Sequence, residues 1–171
     1  MEGGLAGELD EREGTAFHEA GHAAMALLLG RQPRSASIVQ NAESAGHVQF
    51  DDDLPESAKN YFGKSEEKRA YIEMRLLITL AGPIAHDIRE PGRDHDAGDD
   101  HHDKWAFGVL VDHWDVTDEE RRRWIEELSY RCHTLLHDSW RLVEAVSKAL
   151  LERNVLSADE LAEIHRGFAK T

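Results

Sequence analysis

The chain has 171 residues and carries 34 Asp and Glu against 20 Lys and Arg, a formal net charge of −14 with histidine neutral. Such an acidic balance excludes nucleic acid and anionic membrane surfaces as general partners, and the single cysteine, Cys132, excludes a disulfide framework and a cysteine-based zinc site. The length suits one domain, residues 1–171, with a core of its own. Its longest apolar runs, 23–29 and 76–81, are too short to cross a bilayer. The start of the chain lacks the basic segment and apolar core of a signal peptide, so a cytoplasmic location is expected. No Gly-x-x-x-x-Gly-Lys-Ser/Thr run is present, so the chain has no evident means of using ATP itself.

Residues 1–9 are Gly-rich and are expected to be loose. Asp10 and Glu13 have the spacing of a capping box and Gly30 is a natural stop, which predicts a first helix over 11–29. Inside it stands His18-Glu19-Ala20-Gly21-His22. Side chains four apart on a helix share a face, so His18 and His22 point at one place and can hold one Zn²⁺. Glu19 sits beside that place and is positioned as a general base toward a zinc-activated water. Patterns this short also occur in helices without metal. Here, however, Phe17, Ala20, Ala23, Ala24, Leu27 and Leu28 form a broad apolar stripe, which predicts a buried helix. Burying His, Glu and His without partners costs several kcal/mol, and a metal removes that cost. Ala20 and Gly21 are small enough for another segment to pack closely.

Ser35-Ala-Ser-Ile-Val-Gln40 and Gly46-His-Val-Gln-Phe50 read as two short strands joined by a turn. They either offer an edge to an extended peptide or merely cover the core. Asp51-Asp-Asp-Leu-Pro-Glu-Ser57 lacks the spacing of a calcium loop and reads as a solvated acidic turn. Ser65, followed by Glu66 and Glu67, caps a second helix. Its stripe contains Tyr71, Leu76, Leu77, Leu80, Ala81, Ile84, Ala85 and Ile88, and Pro91-Gly92 ends it. It is expected to pack on the first helix.

Arg93-Asp-His-Asp-Ala-Gly-Asp-Asp-His-His-Asp103 concentrates five Asp and three His just before a helical stretch over 104–114. Two histidines do not complete a zinc site, and this loop is the best source of a third ligand. Asp94, His95, Asp96, Asp99, Asp100, His101, His102 and Asp103 all have suitable donor atoms. Thr117-Asp-Glu-Glu120 is a capping box that opens an amphipathic helix to about residue 137, with Trp124, Ile125, Leu128, Cys132, Leu135 and Leu136 inward. A helix over 140–152 follows. Ser157-Ala-Asp-Glu160 caps a last helix to about residue 168.

These stretches together resemble the peptidase domain of FtsH-type, AAA-linked zinc proteases. Thr15-Ala-Phe-His-Glu-Ala-Gly-His-Ala23 with Ala26-Leu-Leu-Leu29 is similar to that family's zinc helix. Ser37-Ile-Val39 and Ala45-Gly-His-Val48 are similar to its paired strands. Leu77-Ile-Thr-Leu-Ala-Gly-Pro-Ile-Ala85 resembles its Leu-x-Gly-Gly-Arg-x-Ala-Glu helix, and Ala149-Leu-Leu-Glu-Arg-Asn-Val-Leu-Ser-Ala-Asp-Glu-Leu161 its last two helices. The likeness covers most of 12–167. It implies a mainly α, helical zincin-like peptidase domain with a small β-hairpin or sheet beside the zinc helix. It implies Zn²⁺ as cofactor, and a zinc-site core over 10–115 followed by a C-terminal helical part over 117–171. It also implies a third ligand, an Asp at the start of a helix. Asp100 is the matching position, with Asp99 and Asp103 as alternates, because the local sequence departs from the family's Gly-Ala-x-Asn-Asp. Pro83 stands where the family has Arg, and His86-Asp87 where it has a Glu pair.

The implied activity is a zinc metallopeptidase, free of ATPase module and membrane helices, with Glu19 as base and His18, His22 and Asp100 as ligands. Its expected substrates are short peptides, unfolded protein segments or its own termini. Homo-oligomers remain open. The competing reading is a non-catalytic helical binding module with a structural or vestigial zinc site, closed by a fourth ligand from His95, His101 or His102. A metal-free scaffold with a hydrogen-bonded His-Glu-His group is the third.

Overall fold

The computed structural model of the chain describes residues 3–40, 44–51, 66–91, 108, 110 and 117–169. Among these, five helices and three short strands follow one another as α1 (Gly3–Leu28), β1 (Ser35–Ser37), β2 (His47–Gln49), α2 (Glu66–Arg89), α3 (Asp118–Asp138), α4 (Trp140–Arg153), β3 (Val155–Ser157) and α5 (Ala158–Phe168). The protein is mainly helical with one small antiparallel sheet, as the periodicities predict.

The first helix begins at Gly3, so Asp10 and Glu13 lie within it and do not open it. The segment Leu5-Ala-Gly-Glu-Leu-Asp-Glu-Arg12 is rich in good helix formers, and their summed propensity outweighs one capping pair. The other end is as expected. Gly30 adopts φ 75°, and the Arg31 amide returns to the Ala26 carbonyl at 2.8 Å, closing the helix through a left-handed glycine.

Alpha1 is the central element. Ala16, Ala20, Ala23, Ala24, Met25 and Ala26 are wholly buried, and these mostly methyl-sized side chains let α2 and α4 pack on it from different sides. Helix α3 packs mainly on α2 and also touches α1. Thr117 caps α3 with a reciprocal box to Glu120, and the buried residues Trp124, Leu128, Cys132 and Leu136 recur at the predicted spacing. Trp124 Nε1 donates to Glu73 Oε1 at 3.2 Å, tying α3 to α2. Ser157 caps α5 with a second complete box. The Ser157 amide and hydroxyl, then Arg153, hold the Glu160 carboxyl below its usual range.

Both predicted strands form but are shorter than expected, and a third strand joins them. The order is β2-β1-β3, with Ala36 opposite both Val48 and Leu156. Just past β1 the Ser37 hydroxyl accepts from the Val39 amide at 3.1 Å, so that amide bonds locally and not across the sheet. Asn154, at φ 64°, ends α4 and swings the chain into β3. Three residues are too few to show an alternation, so β3 leaves no period-2 signal in the sequence. The acidic turn after Asp51 and the Ser65 cap lie outside the described residues. So does the 104–114 stretch apart from Gly108 and Leu110, which are helical.

Two predictions follow from the packing. Burial pushes the Cys132 thiol up from 9.0 to about 12. The unfolded thiol therefore ionises first, and stability is expected to decline as pH rises above about 9. At neutral pH the native thiol should react with a disulfide reagent only on unfolding, so fast labelling of native protein would contradict its burial. Ser147 Oγ, in contrast, is buried without a hydrogen-bond partner. Ser147→Ala should raise stability by about 1 kcal/mol, read as a higher urea midpoint at unchanged slope.

Candidate metal centre

Helices α1 and α2 run antiparallel at close range, and the backbone contacts show why. Gly21 lies directly against the Ala81 carbonyl and the Ala85 side chain, so no Cβ fits there. Gly82 lies directly against the Nε2 atoms of His18 and His22. One turn further along α2, and one turn earlier on α1, a Cβ on Gly14 would come within 2.9 Å of His86 Nε2. The last turn of α2 brings Arg89 to Glu13. The small residues at 20 and 21 do admit a neighbouring segment, and that segment is α2.

The two histidines meet as their spacing predicts. Their rings sit edge to face with centroids 4.7 Å apart, and the two Nε2 atoms are 3.0 Å apart. His22 Nδ1 lies 2.7 Å from the Ile78 carbonyl. A carbonyl only accepts, so the proton is on Nδ1 and the Nε2 lone pair faces His18. Two facing lone pairs repel, so a proton or a cation has to mediate between the rings. Two nitrogens bound to one zinc at about 2.0–2.1 Å lie about 3.3 Å apart in tetrahedral geometry, close to the observed spacing. The imidazole bound through Nε2 with Nδ1–H on a backbone carbonyl is also the usual outer-shell arrangement of metal-ligating histidine. The pair therefore fits two corners of a zinc site. His22 is buried, and His18 is half-buried at the rim.

Glu19 is buried, with 5 % of its surface exposed, and its position depends on the sheet. Gly46, just before β2, makes room for it. A Cβ there would stand 2.7 Å from both Glu19 Cγ and Oε1, and 2.8 Å from the Ser37 carbonyl oxygen. Glu19 thus projects from α1 against the start of β2, which among the described residues is an edge strand of the sheet.

Asp100, with Asp99, Asp103, His95, His101 and His102, lies outside the described residues. Among the described residues no group of three His, Cys, Asp or Glu side chains is arranged to hold a metal ion. The structure thus brings His18 and His22 together, sets Glu19 next to His18 in the chain and beneath β2, and does not place the third ligand. Sequence reasoning missed the roles of Gly46, Gly82 and the Ile78 carbonyl. In the sequence Gly82 stands only within the Leu77–Ala85 likeness, and no periodicity marks which glycine backs an imidazole. His86 was noted only as a departure, yet it crosses to α1 beside Gly14.

No family model matches the chain. The chain is similar to an ATP-dependent zinc metalloprotease, FtsH 1 of Thermoanaerobacter sp. (strain X514). The two are 25 % identical over 193 aligned positions, which take in 89 % of this chain and 30 % of that protein. The chain thus spans about a third of the length of this curated relative. No helix among the described residues is long and apolar enough to cross a membrane.

The helix crossing is open to test. Gly→Ala inside a helix ordinarily stabilises by about 0.5–1 kcal/mol. Gly21→Ala should destabilise instead, by about 1–3 kcal/mol, because the added methyl overpacks against the α2 backbone. An unchanged or higher melting temperature in that variant would show that the helices are not in contact at Gly21.

Proposed function

We propose that the chain is a zinc-dependent metallopeptidase unit with a zincin-like helical fold. The observation that carries this is the convergence of His18 and His22 Nε2 to 3.0 Å with His22 Nδ1 committed to a backbone carbonyl. The likeness to a zinc metalloprotease over 89 % of the chain supports it. His18 and His22 would hold the metal with an acidic third ligand, for which Asp100 is the assignment and Asp99 and Asp103 the alternates. When bound, zinc supplies Lewis-acid polarisation of the scissile carbonyl and a more acidic water.

The chain's own groups do the rest. Glu19, buried and one residue past His18, takes a proton from the attacking water and passes it to the leaving amine. Its burial and its close contact with Gly46 limit its motion, so the carboxylate is pre-positioned. The Ile78 carbonyl fixes the orientation of His22. Among the described residues strand β2 is an edge of the sheet, and Gly46 just before it lies against Glu19. An extended peptide can pair with such an edge through main-chain hydrogen bonds, which gives affinity with little demand on side-chain identity. The proposed substrate is therefore an extended peptide or an unfolded protein segment.

Purified protein should contain zinc near one ion per chain, and a chelator should abolish hydrolysis of an unstructured peptide. Glu19→Gln should keep the metal while hydrolysis falls by about 10²–10⁴-fold. Hydrolysis at the parental rate in Glu19→Gln would remove Glu19 from the mechanism, and metal-free protein that still cleaves would remove zinc.

A further inference from the structure

Away from the α1–α2 crossing, a second pair of histidines shares one helix face. His133 and His137 lie one turn apart near the C-terminal end of α3, and both are exposed. Their rings are nearly parallel, 12° between planes, with centroids 6.3 Å apart. They take no part in the buried stripe Trp124, Leu128, Cys132 and Leu136, which faces inward. We propose that His133 and His137 form a surface clamp for a divalent late transition-metal ion such as Cu²⁺, Ni²⁺ or Zn²⁺, separate from the α1–α2 centre.

The helix geometry permits the clamp, as this chain itself demonstrates. At the same spacing on α1, His18 and His22 bring their Nε2 atoms within 3.0 Å. The exposed rings of His133 and His137 reach a convergent arrangement by rotating about side-chain torsions alone. One ring is already biased toward binding. The Asp138 carboxylate lies 3.5 Å from His137 Nδ1, which favours a proton on Nδ1 and leaves Nε2 as the donor. The position near the C-terminal end of the helix also favours a cation, because the helix dipole leaves partial negative charge there. The net charge of −14 adds to this.

Imidazole nitrogen selects the ion. It suits late first-row metals, whereas Ca²⁺ and Mg²⁺ require oxygen donors. Among the described residues no third His, Cys, Asp or Glu completes a cage here, so water fills the remaining positions. The clamp is accordingly an exchangeable site.

The test uses the full chain. Calorimetric titration with NiCl₂ and CuSO₄ is run on a His18→Ala/His22→Ala background, with and without His133→Ala or His137→Ala. Each added substitution should remove one saturable ion per chain. Binding should tighten from Ni²⁺ to Cu²⁺, without competition from Ca²⁺ or Mg²⁺. Retention of the background stoichiometry and affinity in both variants overturns the proposal. The unsubstituted chain provides a second measurement that does not depend on a variant folding. With the α1–α2 centre first filled by one equivalent of Zn²⁺, sub-stoichiometric Cu²⁺ should broaden the His133 and His137 ring resonances together while those of His47 and His165 stay sharp. Equal broadening of all four, or none at His133 and His137, also overturns it.

Discussion

The close antiparallel contact of α1 with α2 is the constraint on which the candidate centre depends. Gly21 meets the Ala81 carbonyl and Gly82 meets both imidazoles, so the two backbones approach where side chains would ordinarily separate them. That approach brings the Ile78 carbonyl within 2.7 Å of His22 Nδ1. A buried imidazole in a helix of alanines would otherwise carry an unmet polar group, and here the neighbouring helix meets it with its own backbone. The same contact lets one face of α1 be both core and chemistry. Ala20, Ala23 and Ala24 are buried alongside Glu19 and His22.

The turn that carries His18 is held by α4 as well as by α2. Phe17 stacks on Trp140 of α4 with ring centroids 5.8 Å apart, and the Arg89 guanidinium of α2 lies 4.8 Å over the Phe17 ring. Three helices therefore meet at the residue before His18. Arg12 extends the same tie, donating to the Leu151 carbonyl at 2.6 Å and to Asn154 Oδ1 at 2.8 Å. Aromatic stacking and a cation over a ring each contribute about 0.5–1.5 kcal/mol, little next to core burial. Their value is directional, since they resist rotation of α1 about its axis.

The sheet is small, yet it links the ends of the chain to the centre. Strand β1 lies between β2, which begins over Glu19, and β3, which follows α4. The Ile38 amide donates to the Asn154 carbonyl at 2.9 Å, so the left-handed turn at Asn154 both ends a helix and anchors the sheet. The C-terminal helices thereby fix the strand that encloses the buried carboxylate. A chain of short-range contacts connects Ser157 to Glu19 across more than a hundred residues of sequence.

Much of this was legible in the residues themselves. The apolar period of α1, the pairing of His18 with His22, the Thr117 and Ser157 caps and the inward stripe of α3 are local. Each follows from helical repeat or from side-chain to backbone bonding within four residues. The N-terminal extent of α1 was misjudged because a capping pair competes with the propensity of its neighbours, and only the whole segment settles which prevails. What tertiary structure alone decided is which backbone atoms serve the centre. Gly46, Gly82 and the Ile78 carbonyl act through the absence of a side chain or through a main-chain oxygen, and neither leaves a pattern in sequence. Strand β3 belongs to the same class, because three residues become a strand only when β1 is there to receive their hydrogen bonds.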